Sequence, residues 1–284
     1  MSSSALSPTV LKRALTCAVA AARAAGALLC AHSRSPKKVH TATQHDIKLE
    51  LDVRCQNLIQ KALRQAFPEL PVLGEEGAVG DPDAPARWVV DPIDGTVNFT
   101  YGIPHACVAI ALQARAAQTQ NAEAPHHCGL PGPNPALYQS VLGVVYDPFC
   151  DELWTALRGG PARLNGRRIQ VSNRRRLAEA VVSVGFAKER SALEKMLPAF
   201  NDLVHRVRKI RIMGSAALGL AYVATGRMDA YLEYGLSLWD IAAGGLLVEC
   251  AGGQFDARPI PDSAKFSVVA TNGLVSRALR PWAT

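Results

Sequence analysis

In the run Trp88-Val89-Val90-Asp91-Pro92-Ile93-Asp94-Gly95-Thr96-Val97-Asn98-Phe99, three apolar residues give way to two aspartates, a glycine and a threonine. A short apolar run closed by turn residues reads as a buried strand. Pro92 stiffens the exit from that strand. A tight turn there would aim Asp91 and Asp94 at one ion or ion pair, with the Ile93 carbonyl between them. Gly95 lets the backbone approach a ligand closely. Thr96 offers a hydroxyl and, where a helix begins, free N–H groups for a phosphate. Asp-Pro and Asp-Gly are also ordinary turn dipeptides, and Asp is an ordinary helix cap. Each acid taken alone therefore has a structural explanation, and the argument rests on their combination.

Two further stretches repeat the pattern. Pro71-Val72-Leu73 stops at Gly74-Glu75-Glu76, and Asp240 follows Trp239 at the opening of an apolar helix. Each acid stands where the chain leaves the core. Burying several like charges is costly unless a cation compensates. Oxygen-rich clusters of this kind suit Mg²⁺, which takes carboxylates, waters and substrate phosphate. Gly214-Ser215-Ala216-Ala217 is a second helix start built of small residues, suited to an anionic or hydroxyl-bearing part of a substrate.

Around these sites the chain alternates. Helices are predicted over residues 9–32 and 52–67, the second presenting Val53, Leu58, Ile59, Ala62 and Leu63 on one face, with a polar link over 33–45 between them. Strands are predicted at 71–73, 88–90, 107–112 and 141–146. Residues 116–135, with four prolines, read as a long surface loop. The second half continues with strands at 181–186, 209–213, 229–234 and 267–270, and helices at 193–206, 215–225 and 241–250. This mixture predicts an α+β fold of packed layers. The Gly- and Arg-rich break over 157–166 is the expected boundary between an N-terminal part, 1–157, carrying most of the acids, and a C-terminal part, 158–284, carrying Asp240.

Composition sets the outer limits. The chain has 284 residues, 49% hydrophobic and 19% charged, with 22 Gly and 18 Pro. Enough can be buried to exclude a disordered chain, and a collagen-like or coiled-coil rod is excluded as well. The net charge of +7 permits attraction of anions without demonstrating nucleic-acid binding. The basic clusters Arg174-Arg175-Arg176 and His205 to Arg211 lack interleaved aromatics, so they read as solvated faces rather than a stacking platform. Seven scattered cysteines, none in a C-x-x-C pair, read as reduced thiols in a cytoplasm. His126-His127-Cys128 reads as loop polarity, because a zinc site needs further ligands. No run of 18 or more apolar residues occurs, so no membrane span is expected. For the Ala-rich N-terminus, helical spacing of Leu11, Leu15, Val19 and Ala22 behind Ser7-Pro8 favours a helix over a transit peptide.

Taken together, Gly74-Glu75-Glu76, the Trp88–Phe99 run and Leu238-Trp239-Asp240-Ile241-Ala242-Ala243-Gly244 resemble the inositol monophosphatase family. Supporting matches are Gly143 to Pro148, Gly214 to Ala217 and Asp229 to Glu233. The resemblance spans nearly the whole chain apart from 116–135. It implies a layered α-β-α-β-α fold, a homodimer, Mg²⁺ dependence and Li⁺ sensitivity. It assigns metal contacts to Glu75, Asp91, the Ile93 carbonyl, Asp94 and Asp240. It gives Thr96 the positioning of the attacking water, and Asp52 the orientation of Thr96 through a hydrogen bond. Gly95 and Thr96 amides would hold the phosphate. Glu233 would bind a substrate hydroxyl, with Gly214, Ser215 and Ala216 on the same side. The chain departs from the family where Lys48 and Leu49 replace a typical Val and Thr, and where Thr41 stands in place of an upstream lysine. The implied reaction is hydrolysis of a small phosphate monoester, foremost inositol monophosphate or a related polyol phosphate. Histidinol phosphate, fructose bisphosphate or a nucleotide are alternatives. A non-catalytic, dimeric regulatory relative associated with RNA or RNA polymerase is another.

Overall fold

Along the strand β5 (Ala86–Asp94), Trp88 and Val90 point into one apolar cluster and Val89 into another, and every residue of the strand is buried. A sheet that is apolar on both faces must be covered on both, and this requirement sets the layering. The computed structural model describes residues 6–35, 39–42, 47–115, 138–186 and 189–282. In chain order it begins with α1 (Pro8–His32), β1 (Val39–Ala42), β2 (Ile47–Leu49) and α2 (Glu50–Ala66). The first sheet is built from β3 (Val72–Gly74), β4 (Gly77–Val79), β5, β6 (Cys107–Arg115), β7 (Tyr138–Asp147), β8 (Glu152–Leu157), β9 (Arg163–Leu164) and β10 (Arg167–Arg168), in the order β10-β9-β8-β7-β6-β5-β3-β4. A short helix, α3 (Thr96–Thr100), follows β5. The second sheet holds β11 (Val181–Val184), β12 (Lys209–Arg211), β13 (Ala230–Leu236), β14 (Gln254–Pro259) and β15 (Phe266–Thr271), ordered β12-β11-β13-β15-β14. Its helices are α4 (Arg190–Arg206), α5 (Ala216–Ala224), α6 (Leu238–Cys250) and α7 (Ser276–Leu279).

Three apolar clusters define the layers. Helices α1 and α2 cover one face of the first sheet through Ala18, Ala22, Ile59 and Leu63 against Trp88, Val90, Ile110 and Val144. Helices α5 and α6 fill the space between the two sheets, meeting Val89 and Trp154 on one side and Tyr231 and Phe266 on the other. Helix α4 and Leu279 of α7 close the outer face of the second sheet over Val182, Val184 and Leu232. The result is the expected α-β-α-β-α sandwich. Helix α1 is long and apolar enough to cross a membrane by length and composition alone. Its Ala14, Ala18, Ala21, Ala22, Ala25 and Leu29 are instead buried in the first cluster.

Several local expectations need correction. The step from Asp91 to Asp94 is not a tight turn. β5 runs on through Asp94, and its register against β6 slips between Asp91↔Ala109 and Asp94↔Cys107, leaving an extra residue on β5. That is a β-bulge, which bends a strand and re-aims its side chains. On α2 the buried stripe is Leu51, Cys55, Ile59 and Leu63; Leu58 and Ala62 only flank it, and Val53 lies outside the cluster. Part of the presumed polar link is a strand, β1, paired antiparallel with β2. Strands β8 and β14 were not foreseen. The loop expected over 116–135 and the group His126-His127-Cys128 lie outside the described residues.

Helix α6 sits so close to the first sheet that a Cβ on Gly143 of β7 would lie 2.8 Å from the Ala243 carbonyl oxygen. Backbone cannot swing aside as a side chain can. Gly143→Ala should therefore cost about 1–3 kcal/mol by overpacking, read as a lower urea midpoint with an unchanged m-value.

Candidate functional site

The ends of β3, β5 and β13 and the starts of α3, α5 and α6 open into one cleft of about 740 Å³. Glu75, Asp91, Ile93, Asp94, Gly95, Thr96, Gly214, Ser215, Ala216, Glu233 and Asp240 all line it. Of the residues to which the family resemblance assigns a role, Asp52 alone does not line the cleft.

Each acid is held by its own local structure. Asp91, 1% exposed, accepts a hydrogen bond from the Ile93 amide at 3.0 Å, which stabilises the bulge. Asp94 is fixed from across the fold. It accepts from the Ser215 hydroxyl at 2.6 Å and from the Ala217 and Ala216 amides at 2.7 and 3.2 Å, at the first turn of α5. An anion at a helix start is favoured by free amides and by the helix dipole. Asp240 is the third residue of α6 and accepts from the Ser237 amide at 2.7 Å. Asp52 makes the same backward bond in α2, accepting from the Leu49 amide at 2.6 Å. Both follow the acidic half of a capping box.

Thr96 departs from expectation. Its hydroxyl donates to the Ile93 carbonyl at 2.8 Å rather than to Asp52. The reason is local: α3 begins directly after the bulge, which places the hydroxyl back over that carbonyl. Gly95 has φ +92°, and a Cβ there would lie 2.8 Å from the His105 carbonyl oxygen, so both conformation and space require glycine. Asn98 ties the two halves of the site together. Its side-chain amide donates to the carbonyls of His105 (2.9 Å), Met213 (2.8 Å) and Gly214 (3.4 Å). Glu233 accepts a hydrogen bond from the buried Tyr231 hydroxyl, and its carboxylate fills the space that a side chain at Gly185 would occupy.

The electrostatics are those of crowded acids. Burial, then the charges of Glu75, Asp94 and Asp240, push the Asp91 carboxyl well above the usual carboxylate range. Burial, then Asp94 and Glu75, does the same to Asp240. Asp94 is raised by burial, while its bonds from Ser215, Ala217 and Ala216 pull the other way. Among the described residues no lysine or arginine pairs with Asp91, Asp94 or Asp240. Nor, among them, are three His, Cys, Asp or Glu side chains already drawn into a closed ligand group. The bonds just described turn carboxylate oxygens toward protein donors. An open, oxygen-only set with buried uncompensated charge fits a hard divalent cation that keeps part of its water shell, and does not fit a soft metal.

Sequence reasoning missed Asn98, Tyr231, Gly185 and Cys107. Asn98 lies inside the quoted motif, but its partners Met213 and Gly214 are more than a hundred residues away. Tyr231 stands two residues before Glu233 and so shares its face of β13, a signal that was legible. Cys107 lies 3.7 Å from Asp94, brought there only by strand register. Elsewhere, Arg174 pairs with Asp229 and Arg176 with Glu179, so part of the basic triplet serves internal ion pairs.

A layered sandwich with this carboxylate cleft defines a class that most of the chain also matches. Residues 11–119 and 138–278 fit the inositol monophosphatase family, and this chain belongs to it. The chain is 40% identical over 280 residues to a protein of Xylella fastidiosa named Nus factor SuhB, covering 95% of this chain and 94% of that one. It is 39% identical over 240 residues to an inositol-1-monophosphatase of Mesorhizobium japonicum, covering 82% and 81%. Among solved structures, the extragenic suppressor protein suhB of Bartonella henselae superimposes with a TM-score of 0.81 at 33% identity, covering 95% of this chain and 98% of that one. Inositol monophosphatase from Anabaena (Nostoc) gives 0.76 at 32%, covering 94% of each.

The raised carboxyls carry a sign. In the metal-free fold Asp91, Asp94 and Asp240 retain protons at pH values where the unfolded chain has released them. The stability they contribute is full below the ordinary carboxylate range and is lost as pH rises through the elevated values. With a chelator present, the thermal midpoint should fall between pH 5.5 and pH 8. Asp91→Asn should flatten that fall, and Mg²⁺ at pH 8 should reverse it. An equal slope in wild type and Asp91→Asn would contradict the shifts.

Proposed function

We propose that this chain is a Mg²⁺-dependent phosphatase acting on a small phosphate monoester, with inositol monophosphate or a related polyol phosphate as substrate, in a cytoplasmic, Li⁺-sensitive homodimer. The convergence of Glu75, Asp91, Asp94 and Asp240 on one cleft carries this reading. Glu75, Asp91, the Ile93 carbonyl, Asp94 and Asp240 would hold the metal. When bound, the cation supplies charge neutralisation for the phosphoryl oxygens and a lowered pKa for water.

The remaining contributions come from the chain itself. Thr96 spends its one hydroxyl proton on the Ile93 carbonyl, so its oxygen is left to accept from a water in the cleft and orient it. The Gly95 and Thr96 amides stand at the start of α3, where helix geometry leaves N–H groups without intrahelical acceptors, and face phosphate oxygens. Asp94 is immobilised by three donors, so it need not reorganise as charge develops. Glu233, braced by Tyr231, accepts from a substrate hydroxyl, which favours a polyol over an apolar ester.

Phosphate release from inositol 1-phosphate with Mg²⁺ tests the reading. Turnover should require the metal and be suppressed by Li⁺. Asp91→Asn should lose about 10²-fold or more, as disturbed metal sites typically do. Near-normal turnover of that variant at saturating Mg²⁺ would reject the assignment. The similarity to Nus factor SuhB of Xylella fastidiosa supports a second reading, a regulatory contact with the transcription machinery. A folded protein that releases no phosphate from a panel of monoesters, yet is retained by RNA polymerase, would favour it.

A further inference from the structure

The strand pair that carries Glu75 lies at the edge of the first sheet. β3 is three residues long, and β4, which follows it, is exposed along its whole length at the edge of the first sheet. Short edge elements with solvent-exposed backbone open most readily. Glu75 sits in the turn between them, beside Gly77 with φ +126°. Its own amide donates to the Val90 carbonyl at 3.2 Å, which aligns the turn with β5 one residue before Asp91.

Gln56 of α2 anchors the turn from the other side. It is 4% exposed. Its side-chain carbonyl accepts from the Glu76 amide at 2.9 Å, and its side-chain NH₂ donates to the Gly77 carbonyl at 3.1 Å. One primary amide thus bridges two peptide groups of the chain just after Glu75, as a neighbouring strand would. The fit is close: a Cβ on Gly74 would fall 2.1 Å from the Gln56 carbonyl oxygen, so glycine there is what admits the side chain. Gln56 lies one helical turn beyond Asp52, on the same buried face of α2.

We propose that Gln56 is a positioning residue that holds the Glu75 carboxylate in register with Asp91, Asp94 and Asp240. The proposal rests on the reading of Glu75 as part of a metal-binding cleft. Gln56 does not touch the cleft and acts only through the turn. Partners of this kind, one step removed from the ligands, commonly govern metal affinity.

The test is Mg²⁺ binding by titration calorimetry on the full chain, with phosphate release followed in parallel. Gln56→Met keeps the length and loses both hydrogen bonds. It should weaken Mg²⁺ binding by about 10- to 100-fold, while kcat is largely recovered at saturating Mg²⁺ and the metal-free thermal midpoint stays close to wild type. In a Glu75→Gln background, Gln56→Met should weaken binding no further. Unchanged Mg²⁺ affinity with a lowered metal-free midpoint would make Gln56 merely structural and overturn the proposal. Equal weakening with and without Glu75 would overturn it too, by placing the effect elsewhere. If Glu75→Gln alone leaves Mg²⁺ binding intact, the reading of the cleft fails and this proposal falls with it. Should Gln56→Met not fold, Gln56→Asn, polar but too short to span both peptide groups, carries the same expectations.

Discussion

Mutual repulsion among buried carboxylates is the constraint around which this protein is organised. Asp91 and Asp94 at the end of β5 and Asp240, nearly 150 residues further on at the start of α6, line one cleft, and among the described residues no lysine or arginine pairs with them. Left to relax, such groups would turn outward or stay protonated. The fold resists the first course by bonding each one to backbone: Asp91 to the bulge, Asp94 to the start of α5, Asp240 to the start of α6. The tension that remains is what a divalent cation would relieve.

The layering follows from the same elements. β5 is apolar on both faces from Trp88 to Val90, so it lies in the interior of the first sheet, and its end is where charge can reach solvent. α5 and α6 are apolar nearly all round, as helices between two sheets must be, and polarity concentrates at their first turns. The same burial that makes them core helices directs their N-termini at one place. Asn98 then joins the halves by spending its two amide hydrogens on carbonyls from both.

Much of this was legible in the sequence because it is local. The apolar runs that stop at Glu75, at Asp91 and before Asp240 marked strand and helix ends, and the acids there proved to share a cleft. The family resemblance carried the roles, which periodicity alone does not give. What stayed hidden depends on register or on distant partners. The bulge looked like a turn because Asp-Pro is a turn dipeptide, and only the offset of Ala109 and Cys107 on β6 shows otherwise. The Thr96 hydroxyl was assigned to Asp52, whereas the start of α3 puts a nearer acceptor within reach. Val53 fitted an apolar stripe by spacing, yet Cys55 and Gln56 occupy the buried side, and Gln56 would not be placed in a core by polarity. The exposed strand β4 has too few apolar residues to signal itself.

Helix α6 packs against both sheets with its side chains and presents Asp240 from its opening turn. Scaffold and reagent are thus one object. Loss of this helix's packing would dismantle the cleft in the same event, and the cleft can adapt only through its outlying parts: the hairpin of Glu75 and the segment ahead of α5. Evolutionary tinkering with substrate choice is correspondingly confined to that periphery, since any change made at the centre is also a change to the interior.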